Sequence, residues 1–595
     1  MDFEKKVIEL EKKYCKSENF ISDLVLELVN EILNKQGKNG KIAIVGGGIH
    51  TCHLIDDFSE TVENFDVIDK NPIGCIVAKQ YQQFNVYDYG KMNNYDCLII
   101  SSYEFEQEIE KKIYENGYKG KVVGLYKELK AHCLFLPVEY YNLSLYPYIS
   151  SIVANRLLQN DEYKLNCLKH LIFISLHNRD LLFAKKYLED YINLFPSQAE
   201  VEKETIKEIA LLEENLAKVF NRRKCKDIFA FWIDALRYKL SKELPFINKC
   251  REQGIDFTNF YSSAFSTRHT YGCIMRQSDE IDLFIEENSD NNLLNLIKRN
   301  GYRGYRSAGD GVVDLESFNY RERKLCFFDV ASTKIIWNSI MRVLNSPEPT
   351  FVFVHTIIET HAPYISPISM EWERYTTGSE SWRFLSENNL DSFLKNSLTS
   401  AQYIDMELEY YLSLILKNSV ALLFADHGVN LTRSTAQYKE DVSHLPLCIV
   451  GNEIDHSVKN GFVDTKCFVD VLACIMRNED LRIDSSILQM NGIDYYNKAW
   501  IEEFIDNALL SVAMQYNGIR TQTDVYAINA AGEEFYYLLP DEEHNEIDNP
   551  LYYDRIQYLK SKINRKHIDI YKHPKFKDSH LIYEAQGKTF MWRDR

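Results

Sequence analysis

The chain has 595 residues, 45% of them hydrophobic, and a formal net charge of -18. That length exceeds a single ordinary core and implies about two to four globular domains. The acidic balance, with no long basic run, excludes nucleic acid as the main partner, because a phosphate backbone demands clustered Lys and Arg.

The opening stretch, "MDFEKKVIELEKKYCKSENF", is charged and amphipathic and lacks the apolar region of a signal peptide. No stretch reaches the roughly 18 apolar residues of a membrane span. The 13 cysteines are odd in number and scattered without CxxC pairs, as expected of reduced thiols. The expectation is a cytoplasmic protein without a membrane span, its oligomeric state left open.

Residues 1–40 read as helix. "KIAIVGGGIHTCHLI" then runs an apolar strand into three glycines and a helical pattern. "FDVID" ends a second strand at Asp69, and "YDCLIISS" and "KVVGLY" supply two more. Alternating strands and helices predict a parallel, doubly wound sheet. Gly46, Gly47 and Gly48 fill the early glycine positions of a dinucleotide fingerprint, while Thr51 occupies its last small-residue position. On the GGG turn, Asp69 and "NYDCLIISS", the segment resembles Rossmann-like nucleotide or sugar-nucleotide domains attached to bacterial glycan-modifying enzymes. A nucleotide held by Gly46, Gly47, Gly48 and Asp69 is one expectation; an empty, structural crevice is the other.

From about 150 to 222, apolar residues recur at threes and fours with few breakers, predicting antiparallel helices that act as a connector. The expected division is 1–148 as the Rossmann-like domain, 149–222 as the helical connector and 223–595 as the catalytic domain.

In the last of these, three apolar strands end in ligand-type residues: "DIFAFWID" at Asp234, "TFVFVHTIIETH" near His361 and "SVALLFADHG" at Asp426 and His427. In open α/β sheets the ligand crevice lies outside the carboxyl ends of the strands, so these side chains can converge despite their separation. A single strand-end Asp is usually a cap or turn former. Three such strands in one domain point to a metal site.

The order "FWIDALR", "PFINKCREQGIDFTNFYSSAFST", "LIKRNGYRGYRSAGD", "ETHAPY", "FADHG" and "HLPLCIVGNE" resembles the alkaline phosphatase and sulfatase superfamily. Its tail "YNGIRTQTDVYAINAAGEEFYYLLPDEEHNEIDNP" is similar to the closing segment of sulfatases. The resemblance implies an α/β fold: an alkaline-phosphatase-like domain with a central mixed sheet flanked by helices.

It also implies roles. Thr267 falls on the nucleophile position; Asp234, Thr267, Asp426 and His427 fall on a divalent-metal site. His361 falls on a family histidine that binds a second metal or contacts substrate, with His444 the candidate to join it. Arg268 and His269 flank the nucleophile as candidates to bind phosphoryl oxygens. His355, earlier on the same strand, reads as directed to the other face, and Arg237 as structural. Zinc or manganese suits oxygen ligands plus imidazole, with magnesium or calcium as alternatives.

The chain departs from sulfatases twice. Threonine cannot be oxidised to formylglycine, which turns the expectation from sulfate toward phosphate esters, as in threonine-using phosphodiesterases and phosphoethanolamine or phosphoglycerol transferases. Ala235 replaces the second of the paired aspartates. The expected function is a metal-dependent phosphotransferase or phosphodiesterase with a phosphothreonine intermediate, acting on a small-molecule or glycan phosphoester. The alternatives are a sulfuric ester hydrolase and a catalytically silent scaffold.

Overall fold

The computed structural model describes residues 2–37, 40–102, 105–134, 149–264, 266–280, 292–309, 311–317, 330–356, 359–361, 364, 366–369, 390–429, 439–451, 453–493, 515–529, 532–564, 581–585 and 588–592. The chain divides into two compact units, residues 1–209 with 365–379, and residues 210–364 with 380–595.

The first unit contains a five-stranded, all-parallel sheet in the order Val86–Tyr87, Asp66–Ile68, Ile42–Val45, Cys97–Ile100, Lys121–Gly124. Ala43, Val45, Ile68, Leu98 and Ile100 bury one face against Ile113 of helix Glu106–Glu115. The helices of 149–209 belong to this unit, so the expected connector is not a separate body. Helix Lys164–His177 packs on both Phe3–Lys12 and Phe20–Gly37. Arg179, which follows it, binds Glu4 Oε1 at 2.6 Å and Glu11 Oε2 at 3.1 Å. This buried clamp joins the N-terminal helix to the later ones.

The second unit is built on an eight-stranded mixed sheet. Its order is Gly311–Asp314, Arg303–Ala308, Thr350–Thr356, Asp227–Ile233, Ser419–Phe424, Leu447–Gly451, Ile255–Phe257, Ser457–Lys459. The second to fifth of these run parallel, and their central strands are buried throughout and mostly apolar, as burial on both faces requires. Register pairs His355 with Trp232 and Phe424 with Trp232. Period-two alternation therefore puts Trp232, Asp234, His355 and Phe424 on one face. Helix Thr267–Arg276 covers that face, with Tyr271 stacked on Trp232 at 5.2 Å. A four-stranded antiparallel sheet, Leu488–Ile493, Gln515–Arg520, Asp524–Asn529 and Glu534–Leu538, follows. Among the described residues no helix is long and apolar enough to cross a membrane.

Helix Pro245–Gln253 starts without a side-chain cap of its own. Asp405, on helix Leu390–Ile415, supplies one, accepting from Phe246 N at 2.8 Å and Ile247 N at 2.9 Å. Burial pushes the Asp405 carboxyl up to about 6, against the pull of those two N–H groups. The folded state therefore holds a proton that the unfolded chain releases near pH 4, and the carboxyl's stabilising contribution falls as pH rises through about 6. Asp405→Ala is expected to cost about 1–3 kcal/mol. Urea midpoints of wild type and variant should differ most below about pH 4 and converge toward pH 7. A gap that widens with pH overturns this account.

Candidate active site

Three parallel strands deliver the site. Asp234 follows Asp227–Ile233, His355 is the penultimate residue of Thr350–Thr356, and Asp426 and His427 follow Ser419–Phe424. Ligand atoms of Asp234, His355 and Asp426 lie within 4.8 Å of one another, and all three residues are buried.

The two carboxylates are each half satisfied. Asp426 Oδ1 accepts from Ala235 N at 3.1 Å and His427 N at 2.8 Å. Asp234 Oδ2 accepts from His355 Nε2 at 3.0 Å and from the Thr267 hydroxyl at 3.2 Å. Their other oxygens, Asp234 Oδ1 and Asp426 Oδ2, are buried without a hydrogen-bond partner among the described residues. Burial raises the Asp234 carboxyl, but the His355 hydrogen bond and the imidazoles of His361, His355 and His427 outweigh it and hold the group below its usual range. A pair of carboxylates with unpartnered buried oxygens beside a histidine cluster is a donor set that suits a divalent cation, so the residues present fit the metal that the sequence implied.

His427 is fixed as a ligand-type imidazole. Its Nδ1 lies 2.8 Å from Gly428 O, and a carbonyl only accepts, so Nδ1 carries the proton. Nε2 sits 3.3 Å from Thr267 Oγ1 and 3.4 Å from Asp426 Oδ2.

Thr267 opens helix Thr267–Arg276, and Ser266, not Thr267, caps it by accepting from His269 N. The capping duty that usually explains a threonine here is already filled. Its hydroxyl is left to Asp234 and His427. Thr270 anchors the same turn by donating to Ala264 O at 3.2 Å and Asp426 O at 3.3 Å.

The structure thus brings together Asp234, Thr267, Asp426 and His427. His361 is half-buried and near enough for its charge to act on Asp234. Arg268 is half-buried in the first turn of the helix. His269 is held through Nδ1 by the fully buried Glu280 at 2.8 Å.

His444 is corrected: it is not a metal ligand. Its Nδ1 binds Glu440, its Nε2 lies 2.9 Å from Thr258 O, and its ring is stacked between Tyr238 at 4.0 Å and Tyr261 at 4.7 Å. Both nitrogens are occupied in a structural network. His355 is corrected in the opposite sense, facing Asp234 instead of away from it. Arg237 meets Asp441 at 3.4 Å, consistent with a structural role.

In the first unit Asp69 closes the glycine turn, accepting from Gly47 N at 2.7 Å and Asn71 N at 2.8 Å. Gly46 has φ +109, and Gly48 precedes helix Ile49–Asp57.

Residues 233–477 match the Sulfatase family model. Among solved structures, a 2-O GAG sulfatase is 11% identical, with 57% of this chain and 91% of that chain covered and a TM-score of 0.41. A phosphonate monoester hydrolase from Silicibacter pomeroyi is 10% identical, with 57% and 94% covered and a TM-score of 0.42. A protein in the alkaline phosphatase superfamily from Vibrio parahaemolyticus is 12% identical, with 55% and 86% covered and a TM-score of 0.34. No curated protein matches the chain. The family match spans Asp234, Thr267, His355, His361, Asp426 and His427, so residues 233–477 form a sulfatase-family domain.

Proposed function

We propose that the protein is a metal-dependent phosphotransferase or phosphodiesterase that works through a covalent phosphothreonine at Thr267. The observation that carries the reading is the Thr267 hydroxyl, free of capping duty and 3.2 Å from Asp234 and 3.3 Å from His427 Nε2, beside two bare carboxylate oxygens. Asp234, Asp426 and His427 would hold a divalent ion, zinc or manganese, with His355 orienting Asp234. When bound, the ion supplies the charge that lowers the pKa of the threonine hydroxyl and stabilises negative oxygen.

The chain's own groups account for the rest. The Thr267 oxygen forms the new bond to phosphorus, the ester bond to the leaving alcohol breaks, and the hydroxyl proton ends on that alcohol. Backbone N–H groups at the start of helix Thr267–Arg276 face developing charge on the phosphoryl oxygens, and Arg268 and His269 stand in the same turn. His361 is the candidate to meet the leaving or accepting oxygen. The second half-reaction passes the phosphoryl group to water or to an acceptor alcohol. A glycan or glycan precursor is the proposed substrate class, resting on the resemblance of the N-terminal segment. The described cysteines are free thiols, which fits a cytoplasmic setting. A sulfuric ester hydrolase is the second reading, favoured by the family match and opposed by threonine at the nucleophile position.

Metal content checks the ligand assignment. Asp426→Ala and Asp234→Ala are expected to abolish copurifying metal, because too few ligands remain to offset dehydration of the cation. His355→Gln should weaken metal affinity about 10–100-fold. His444→Gln should destabilise the fold while leaving metal content intact. Elemental analysis showing full occupancy in Asp426→Ala, or loss of metal from a folded His444→Gln, would overturn the ligand set.

Thr267→Ala is expected to abolish turnover of a chromogenic phosphodiester while preserving folding and metal, and Thr267→Ser should retain part of the rate. Mass mapping of the tryptic peptide spanning 252–268 after incubation with donor should show a phosphoryl or phosphodiester adduct in wild type and none in the alanine variant. Wild-type rates from Thr267→Ala would transfer the nucleophile's role to water.

A further inference from the structure

We propose that Arg237 is a specificity-determining residue: it receives a second oxyanion, a carboxylate or a phosphate, on the alcohol arm that stays attached to the transferred phosphorus. The inference rests on the reading of Thr267 as the phosphoryl acceptor and adds the class of donor to it.

Two other arginines with little exposure show how this chain treats a guanidinium. Arg223 sets Nε 2.6 Å and Nη2 3.0 Å from the two oxygens of Asp227, and its Nη1 donates to Ser346 O at 3.0 Å. Arg179 meets Glu4, Glu11 and the carbonyls of Leu176 and His177. Arg237 departs from that pattern. Its side chain is 6% exposed, yet among the described residues its hydrogen bonding is one N–H, Nη1 to Asp441 Oδ1 at 3.4 Å. That is long for a charge-assisted bond. Nε is buried without a partner. The Asp441 side chain is 35% exposed, so water screens the single partner that Arg237 has. A guanidinium withdrawn from water and offered one distant oxygen is undercompensated. An oxyanion that takes two parallel N–H bonds restores the balance.

The position suits a substrate contact. Arg237 stands in the turn after strand Asp227–Ile233, three residues past Asp234, at the strand ends where a ligand crevice opens. In the same turn Ala235 N donates to Asp426 Oδ1. Asp441 comes from the segment whose main chain abuts Gly428, and Ser443 O, two residues on, accepts from Ser262 N at 2.8 Å. Ser262 in turn donates to Asp426 O. Arg237 and Asp441 thus belong to the backbone wall around Asp426. The Thr267 hydroxyl meets Asp234 at the other end of the Asp234–Arg237 turn. Three residues span at most about 10 Å, which puts nucleophile and guanidinium within reach of one donor molecule.

The test compares three chromogenic phosphodiesters on the full-length, metal-loaded protein. One carries a propyl arm; the others carry arms of similar length ending in a carboxylate or a phosphate. Wild type should favour at least one anionic arm over propyl by about tenfold in kcat/KM, chiefly through KM, and the better of the two identifies the oxyanion. Arg237→Gln should erase that preference. Asp441→Asn removes the competing carboxylate and should raise it about threefold. A purely structural ion pair predicts the opposite, with both variants losing rate alike on all three donors. Arg237→Lys, which keeps the charge, covers a glutamine variant that does not fold; it should cut the preference about threefold, because an ammonium lacks the paired N–H groups. No anionic preference in wild type, its survival in Arg237→Gln or intact in Arg237→Lys, or its fall in Asp441→Asn overturns the proposal. Where no donor turns over, calorimetric titration with the phosphonate analogues of all three gives the same comparison as affinities, so failure of the Thr267 chemistry is told apart from failure of the Arg237 subsite.

Discussion

The second unit's strand-end cluster depends on how Asp426 divides its carboxylate. Oδ1 takes the main-chain N–H of Ala235 and of His427, tying the ends of two adjacent parallel strands together. Its main-chain carbonyl accepts from Ser262 and Thr270, tying both strands to helix Thr267–Arg276. Oδ2 is then left bare in a buried place. A buried, unpaired carboxylate oxygen is costly. The arrangement suits a receptor for positive charge, with the backbone bearing the cost in advance of the ligand.

Ala235 shows what that receptor demands. Its φ of +55 is unusual for a residue with a Cβ, and its N–H is aimed at Asp426. In paired-aspartate sulfatases, a second acid would follow Asp234; here the position contributes only backbone. The lost carboxylate is answered by imidazole, since His355, His361 and His427 all act on Asp234. Replacing acid by histidine lowers the negative charge of the pocket and changes the ions it suits.

Much of this was legible in the sequence, because strand ends in a parallel sheet converge wherever the strands pair. Asp234, Asp426 and His427 needed only their place after apolar runs, and Thr267 its place in an ordered set of motifs. His355 was not legible, since its face depends on a register that puts it opposite Trp232, two residues before Asp234. No local pattern encodes that pairing. His444 shows the converse, a local signal for a structural role. Glu440 lies four residues earlier on the same short segment, spacing that favours a side-chain pair, while Tyr238 and Tyr261, which enclose the ring, come from distant parts of the chain. The helices of 149–209 look autonomous by periodicity, yet Arg179 and its two glutamates tie them to the first unit.

Gly428, last of the Asp-His-Gly run, explains why a site whose candidate ligands all precede residue 430 needs chain beyond it. A Cβ on Gly428 would lie 2.0 Å from Asp441 O, and its N–H donates to Val442 O at 2.6 Å. The obstruction is main chain, which cannot swing aside like a side chain, so glycine here permits close approach and not flexibility. The segment it admits carries Glu440 and His444. Glu440 in turn binds Arg520, which is 1% exposed and also reaches Glu542 at 3.1 Å, while Glu440 N donates to Glu542 Oε2 at 2.7 Å. The C-terminal sheet is thereby locked, through one buried arginine and one missing side chain, onto the loop that holds His427 in its ligand tautomer.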